Sequence, residues 1–185
     1  MSKAVLISIR PEWCELIVDG KKTVEVRKRR PKLETPFKVY IYCTVGGIKR
    51  MAKDYLTESF ERGKVIGEFV CDRIDDIMIS CSDQNMRGIP FPGTGLTDRE
   101  IMDYIGNGKD GFGLHISALV IYDRPKELNK FVRRCKAYGK DIGRCWDCSK
   151  SVGDEHDCGA NGILEMKRPP QSWCYVEERL YAQIH

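Results

Sequence analysis

At 185 residues, 42% of them apolar and 31% charged, the chain is long enough for one good hydrophobic core and has the composition of a globular protein. A net charge of +4 admits a nucleic-acid or nucleotide partner without the strong basic imbalance of a dedicated binder. No apolar run approaches the roughly 20 residues needed to span a bilayer, so no membrane role is expected.

The N-terminal stretch sets Val5, Ile7 and Ile9 against Ala4, Leu6 and Ser8, apolar on both sides, which predicts a strand buried well inside a sheet or barrel. Broken by Arg10-Pro11, it reads as a strand rather than a signal peptide. Nine cysteines without a secretion signal are expected to be reduced thiols or metal ligands, which points to a cytoplasmic protein. Pro11 suits a first helical turn, Trp13, Leu16 and Ile17 follow at helical spacing, and Gly20 stops the helix. Trp13 reads as core packing, with a stacking wall as the lesser alternative. In Thr23-Val24-Glu25-Val26-Arg27 the two valines point one way. Glu25 and Arg27 share the other face, about 7 Å apart along the strand, with Lys22 at its mouth. This is a polar floor for a pocket or, on spacing alone, a solvated strand face. The run Lys28-Arg29-Arg30-Pro31-Lys32 then places cations beside it.

Gly-x-Lys-x-x-Glu-x-Arg, here Gly20, Lys22, Glu25 and Arg27, is similar to the signature of the ASCH domain, a member of the PUA-like superfamily. In that family the signature follows a short N-terminal strand and helix, as it does here. The resemblance implies an α+β fold on a small β-barrel with flanking helices, and a pocket for a nucleobase or nucleotide, including RNA. It extends loosely through the strand at 38–44, the strand near Gly67-Glu68 and a helix-strand pair at 96–122.

In 38–44, Val39, Ile41 and Cys43 are expected inward, and Tyr40, Tyr42 and Thr44 on the other face. The ASCH pattern puts the end of this strand at the pocket, which makes Tyr42 and Thr44 possible lining residues. Residues 48–62 read as a polar, helical insertion without chemistry. The stretch 64–79 predicts a long strand or a bent pair, where Gly67 marks a bulge or a close backbone approach. Glu68 has the parity of Ile66 and Val70, so it needs a partner, and Lys22 or Arg27 would suit it. A loop of turn composition follows over 80–95. Thr97 and Glu100 then form a capping box for a helix with an Ile101, Tyr104, Ile105 stripe, ended by Gly106. Residues 111–122 predict a strand in which His115 is structural, a base contact being the lesser alternative. A short helix is predicted from Asp123 through Cys135, with Leu128, Phe131 and Val132 buried, and a last strand from Trp173 to Ile184. Trp173 and Tyr175 share parity. Such aromatics border the pocket near the end of a PUA-like barrel or simply close the core.

Between these last elements lies Cys145-Trp146-Asp147-Cys148, with nine residues separating Cys135 from Cys145 and nine separating Cys148 from Cys158. The stretch is too poor in large apolar residues to fold alone. A structural Zn2+ held by Cys135, Cys145, Cys148 and Cys158 would stabilise it, His156 being able to replace Cys135 or Cys158. The chain thus divides into an ASCH-like domain over 1–134 and 166–185 and a zinc-binding insertion over 135–165. A redox C-x-x-C lacks the strand-helix context it normally has, and the other cysteines read as small hydrophobes.

Recognition of a nucleobase-containing ligand through Lys22, Glu25 and Arg27, with Glu68, Tyr42 and Trp173 as further candidates, is the leading functional expectation. Some ASCH proteins hydrolyse acylated cytidine nucleosides or cleave RNA, so a hydrolase is the first alternative. Lys22 would be its base or nucleophile, with Glu25 or Glu68 relaying protons. This sequence has Glu25 where hydrolase members of the family can carry threonine. A protein partner docking on the zinc insertion is the second alternative.

Overall fold

β1 (Lys3–Ile9) is the spine of the molecule, and both of its faces are covered, as its two-sided apolar pattern requires. Val5, Ile7 and Ile9 enter one core with Val39, Ile41, Phe69 and Leu114, while Ala4 and Leu6 enter a second with Tyr40, Tyr42, Phe131 and Val176. A computed structural model describes residues 3–46, 61–78, 92–106, 109–135, 144–145, 150–151 and 163–177. The predicted insertion at 48–62 therefore falls almost wholly outside the described residues, as do most of the 80–95 loop and Cys81.

After β1, Pro11 opens α1 (Pro11–Val18), which buries Cys14 and Ile17 on the first core. The chain leaves it through Gly20 at φ +70°, a left-handed conformation that glycine adopts without a Cβ penalty. There follow β2 (Val24–Arg27), β3 (Phe37–Cys43), β4 (Val65–Ile77), α2 (Asp98–Ile105) and β5 (Gly111–Lys126). The predicted capping box is present at α2: Glu100 N donates to Thr97 Oγ1 at 3.3 Å and Thr97 N to Glu100 Oε2 at 2.9 Å.

The short helix expected over 123–135 is not formed. β5 continues to Lys126, a 3₁₀ turn covers Leu128–Lys130, and β6 (Val132–Arg134) follows. Leu128, Phe131 and Val132 do turn inward, but at 132–134 the chain is claimed by strand partners on two sides, which overrides the helical spacing. Those partners are β9 (Ile163–Glu165) and β10 (Trp173–Glu177); residues 178–185 lie outside the described ones. β7 (Arg144–Cys145) and β8 (Lys150–Ser151) form a separate antiparallel pair.

The main sheet runs β2-β5-β4-β3-β1-β10-β6-β9, with β1 and β3 parallel and the other pairs antiparallel. It is an open sheet rather than the expected closed barrel: β2 and β9 stand at its ends, with no pairing between them among the described residues. A loop covers the β2 end instead, since Thr23 N and Val24 N both donate to Gly93 O.

Candidate functional site

A cavity of about 670 Å³ opens at the carboxyl ends of the parallel strands β1 and β3. Ser8, Ile9 and Arg10 line it from the end of β1, Thr44 and Gly46 from the end of β3, and Trp13 from α1. β2 supplies Glu25, Val26 and Arg27, with Lys22 just before it; α2 supplies Glu100, Asp103 and Tyr104; Gln171 and Ser172 complete the wall ahead of β10.

The signature side chains form one buried cluster rather than a solvated face. Lys22, Glu25 and Arg27 are only 2%, 4% and 8% exposed. Glu25 accepts from Lys22 Nζ at 3.2 Å through Oε2 and from Arg27 Nη2 at 2.9 Å through Oε1. Lys22 Nζ also donates to Val24 O at 2.9 Å and Thr94 O at 2.5 Å, so its three N–H groups have three acceptors. Burial pulls its pKa below the ordinary lysine value, Glu25 opposes this, and Arg27 adds to it. Arg27 Nη2 further donates to Ser8 O at 2.7 Å, and Tyr104 Oη lies 3.5 Å from Nη1. Arg27 Nε is buried without a hydrogen-bond partner among the described residues. Trp13 stands with its ring centroid 5.7 Å from Lys22 Nζ, and Lys28 Nζ lies 5.3 Å from that of Tyr104.

Gly93 and Gly95 hold the Thr94 carbonyl on Lys22. Both have positive φ, and a Cβ on either would run into a neighbour, Thr23 Oγ1 at Gly93 and Leu16 at Gly95. Sequence reasoning missed Thr94 as a site residue; its signal was a threonine between two glycines just ahead of a capping box. It also left Tyr104 in the apolar stripe of α2, although a tyrosine at a stripe's margin carries a polar tip.

The other sequence candidates lie elsewhere. Tyr42 is buried in the second core, 5% exposed, and does not line the cavity. Thr44 does line the cavity. Trp173 packs against the first core, makes an edge contact with Tyr175 and donates Nε1–H to Arg29 O at 2.9 Å. Glu68 pairs with Lys38 Nζ at 3.2 Å and accepts from Tyr122, not with Lys22 or Arg27. Ile66 is the reason. Ile41 pairs with Gly67 and Tyr42 with Val65, so Ile66 is a bulge residue, and the extra residue turns Glu68 to the face of Tyr40. His115 is bound to Asp75 at 2.8 Å, away from the cavity. Cys135 is buried at the end of β6 and Cys145 closes β7, while Cys148, His156 and Cys158 lie outside the described residues.

The ASCH domain family model matches residues 7–84, which contain the end of β1, all of β2, β3 and β4, and the whole signature. This segment of the chain is similar to the ASCH domain. The fold of the chain is similar to that of the ASCH protein of Zymomonas mobilis, at 19% identity and a TM-score of 0.54, covering 95% of this chain and 88% of that one. A tyrosine-to-phenylalanine mutant of that protein gives 19% identity and a TM-score of 0.55, with 96% and 92% covered. No curated protein sequence matches the chain. Among the described residues, no helix is long and apolar enough to cross a membrane and no metal-ligating cluster is formed.

Proposed function

We propose that the ASCH-like domain holds a nucleobase-containing ligand in this cavity, with Lys22, Glu25 and Arg27 as its polar floor. The observation that carries the reading is Arg27 Nε, a buried N–H without a partner at the floor of a cavity that Trp13 and Tyr104 also line. A buried donor left unpaired costs about 1–3 kcal/mol, and a ligand acceptor recovers it. Base stacking on an aromatic ring adds a sequence-tolerant contribution, exposed Arg10 brings positive charge to the wall, and the volume falls within the range of small-molecule sites. The ASCH resemblance favours RNA as the source of the base.

The hydrolase reading has one observation in its favour, the lowered pKa of Lys22. Against it, an ammonium whose three protons are committed has no lone pair to offer, and two of its acceptors are carbonyls that require a donor. Binding without turnover is therefore the preferred reading.

The test is titration with a panel of modified and unmodified nucleosides and short RNAs, scored for binding and for product. Tyr104→Ala is expected to weaken binding roughly tenfold or more, in line with about 1–3 kcal/mol per stacked base, with no product formed. Product that disappears in Lys22→Ala would replace the binder by the hydrolase. Failure of the whole panel to bind would remove both.

We further propose structural Zn2+ on Cys135, Cys145, Cys148 and Cys158. Support comes from the β7–β8 pair, which among the described residues joins no other strand and carries Cys145 in a stretch that cannot bury enough apolar surface to hold itself. About one zinc per purified chain is expected for a closed tetrahedral site, with a lowered Tm in Cys145→Ser. Substoichiometric metal and an unchanged Tm would remove the site. A protein-interaction role for this stretch would rest on residues outside the described ones.

A further inference from the structure

Residues 28–32 leave the floor of the cavity as a ridge of exposed cations, Lys28, Arg29, Arg30 and Lys32, around the buried Pro31. Among the described residues no carboxylate pairs with any of the four. The ridge is not a free loop. Trp173 Nε1 donates to Arg29 O at 2.9 Å, and Lys32 N donates to Tyr175 Oη at 2.7 Å. The two aromatic rings brace one another edge to face, centroids 5.3 Å apart, and both pack on the first core. At one end Lys28 reaches over the Tyr104 ring, which lines the cavity; beyond the other, Lys3 stands over Tyr175 at 5.9 Å. Cations leading from a base-sized cavity, on a backbone tied down at two points, match a repeating anion whose repeat also carries a base.

We infer that this ridge takes the phosphodiester backbone of a single-stranded polynucleotide whose base occupies the cavity, and that Trp173 and Tyr175 are its positioning residues. The inference rests on the nucleobase reading of the cavity and adds the place where the chain of phosphates attached to that base is held. A backbone fixed before binding loses less conformational freedom on association than four lysines and arginines on a loose loop. The aromatic pair therefore acts through the ridge and not by touching the base. Phosphate contacts made by the ridge release counterions, and a free nucleoside has none to make.

The experiment compares one nucleoside that binds in the panel with single-stranded ribo- and deoxyribo-oligonucleotides containing it, across 50 to 200 mM salt. Three or four phosphate contacts give a slope of about −2 to −3 in log affinity against log salt, a roughly 20- to 50-fold loss over that range. The nucleoside's slope stays near zero. Arg30→Gln, at an exposed position, lowers the oligonucleotide slope by about 0.7 and leaves nucleoside affinity unchanged. Trp173→Phe, which keeps a ring and removes the N–H, weakens the oligonucleotide several-fold at constant nucleoside affinity. A flat oligonucleotide slope, an Arg30→Gln slope equal to the wild type, or equal competition by a glutamate-rich peptide of the same charge would overturn the ridge. If no nucleoside binds but the oligonucleotide slopes respond as stated, the cavity reading fails and the ridge stands.

Discussion

Glu25 and Glu68 are both carboxylates on strands of the same sheet, each beside a lysine, yet they make opposite local environments. Glu25 sits between two cations at 4% exposure, so its cluster holds one net positive charge and an unused N–H out of contact with water. Glu68, its side chain 22% exposed, has one lysine and one tyrosine, which neutralise it and use its oxygens. A buried site with surplus positive charge and an unmet donor carries an uncompensated desolvation cost, whereas a neutral, half-buried pair is already satisfied. The difference comes from supply. At Glu25 the signature delivers both cations within five residues and the Gly93–Gly95 loop seals them in, while at Glu68 the bulge at Ile66 turns the side chain away from that cluster.

The largest effect that tests this contrast is truncation of the two carboxylates. Glu25→Ala leaves two buried cations facing each other and is expected to destabilise the fold by about 3–5 kcal/mol, the cost of breaking a buried pair by removing one partner. Glu68→Ala removes a half-open pair and is expected to cost no more than about 1 kcal/mol. Urea unfolding of both variants measures the difference, and equal losses would dissolve it.

The contrast was only half legible in the sequence. Gly20, Lys22, Glu25 and Arg27 identified the floor because a turn and a four-residue strand leave little freedom: parity alone puts Glu25 and Arg27 on one side. Parity failed at Glu68 because one extra residue in β4 reverses every side chain beyond it; Gly67 signalled a bulge or a close approach there, but not which residue would be the extra one. Tyr42 failed as a lining residue for another reason. Alternation said that it faces away from Val39 and Ile41, but not that a second core waits there, built by Phe131, Met166 and Val176 from more than 80 residues downstream. The helix expected from Asp123 fails in the same way, since its apolar spacing is real and its fate is decided by strands at 163–165 and 173–177. Thr94 was signalled only by its flanking glycines, because its contribution is a backbone carbonyl, which any residue type possesses.

A smaller effect, with a sign that sharpens the contrast, comes from pH. Burial lowers the folded-state pKa of Lys22 below its ordinary 10.5, against the pull of Glu25. Between that lowered value and 10.5 the unfolded chain keeps a proton that the folded chain has released, so stability must rise with pH across this window and be flat below it. Lys22→Met has no such proton. The stability of the wild type minus that of Lys22→Met is therefore expected to grow as the pH is raised towards 10.5, measured by urea unfolding at a series of pH values. A difference that shrinks instead would mean that Glu25 outweighs desolvation, making Lys22 a permanent charge that fixes the floor and nothing more. A difference that grows means that burial outweighs Glu25 and that the Lys22 ammonium, whose three N–H groups face Glu25, Val24 O and Thr94 O, loses a proton more readily in the folded chain than in the unfolded one. The same window is then where a free amine would first become available inside the cavity, and where any hydrolytic activity would have to emerge.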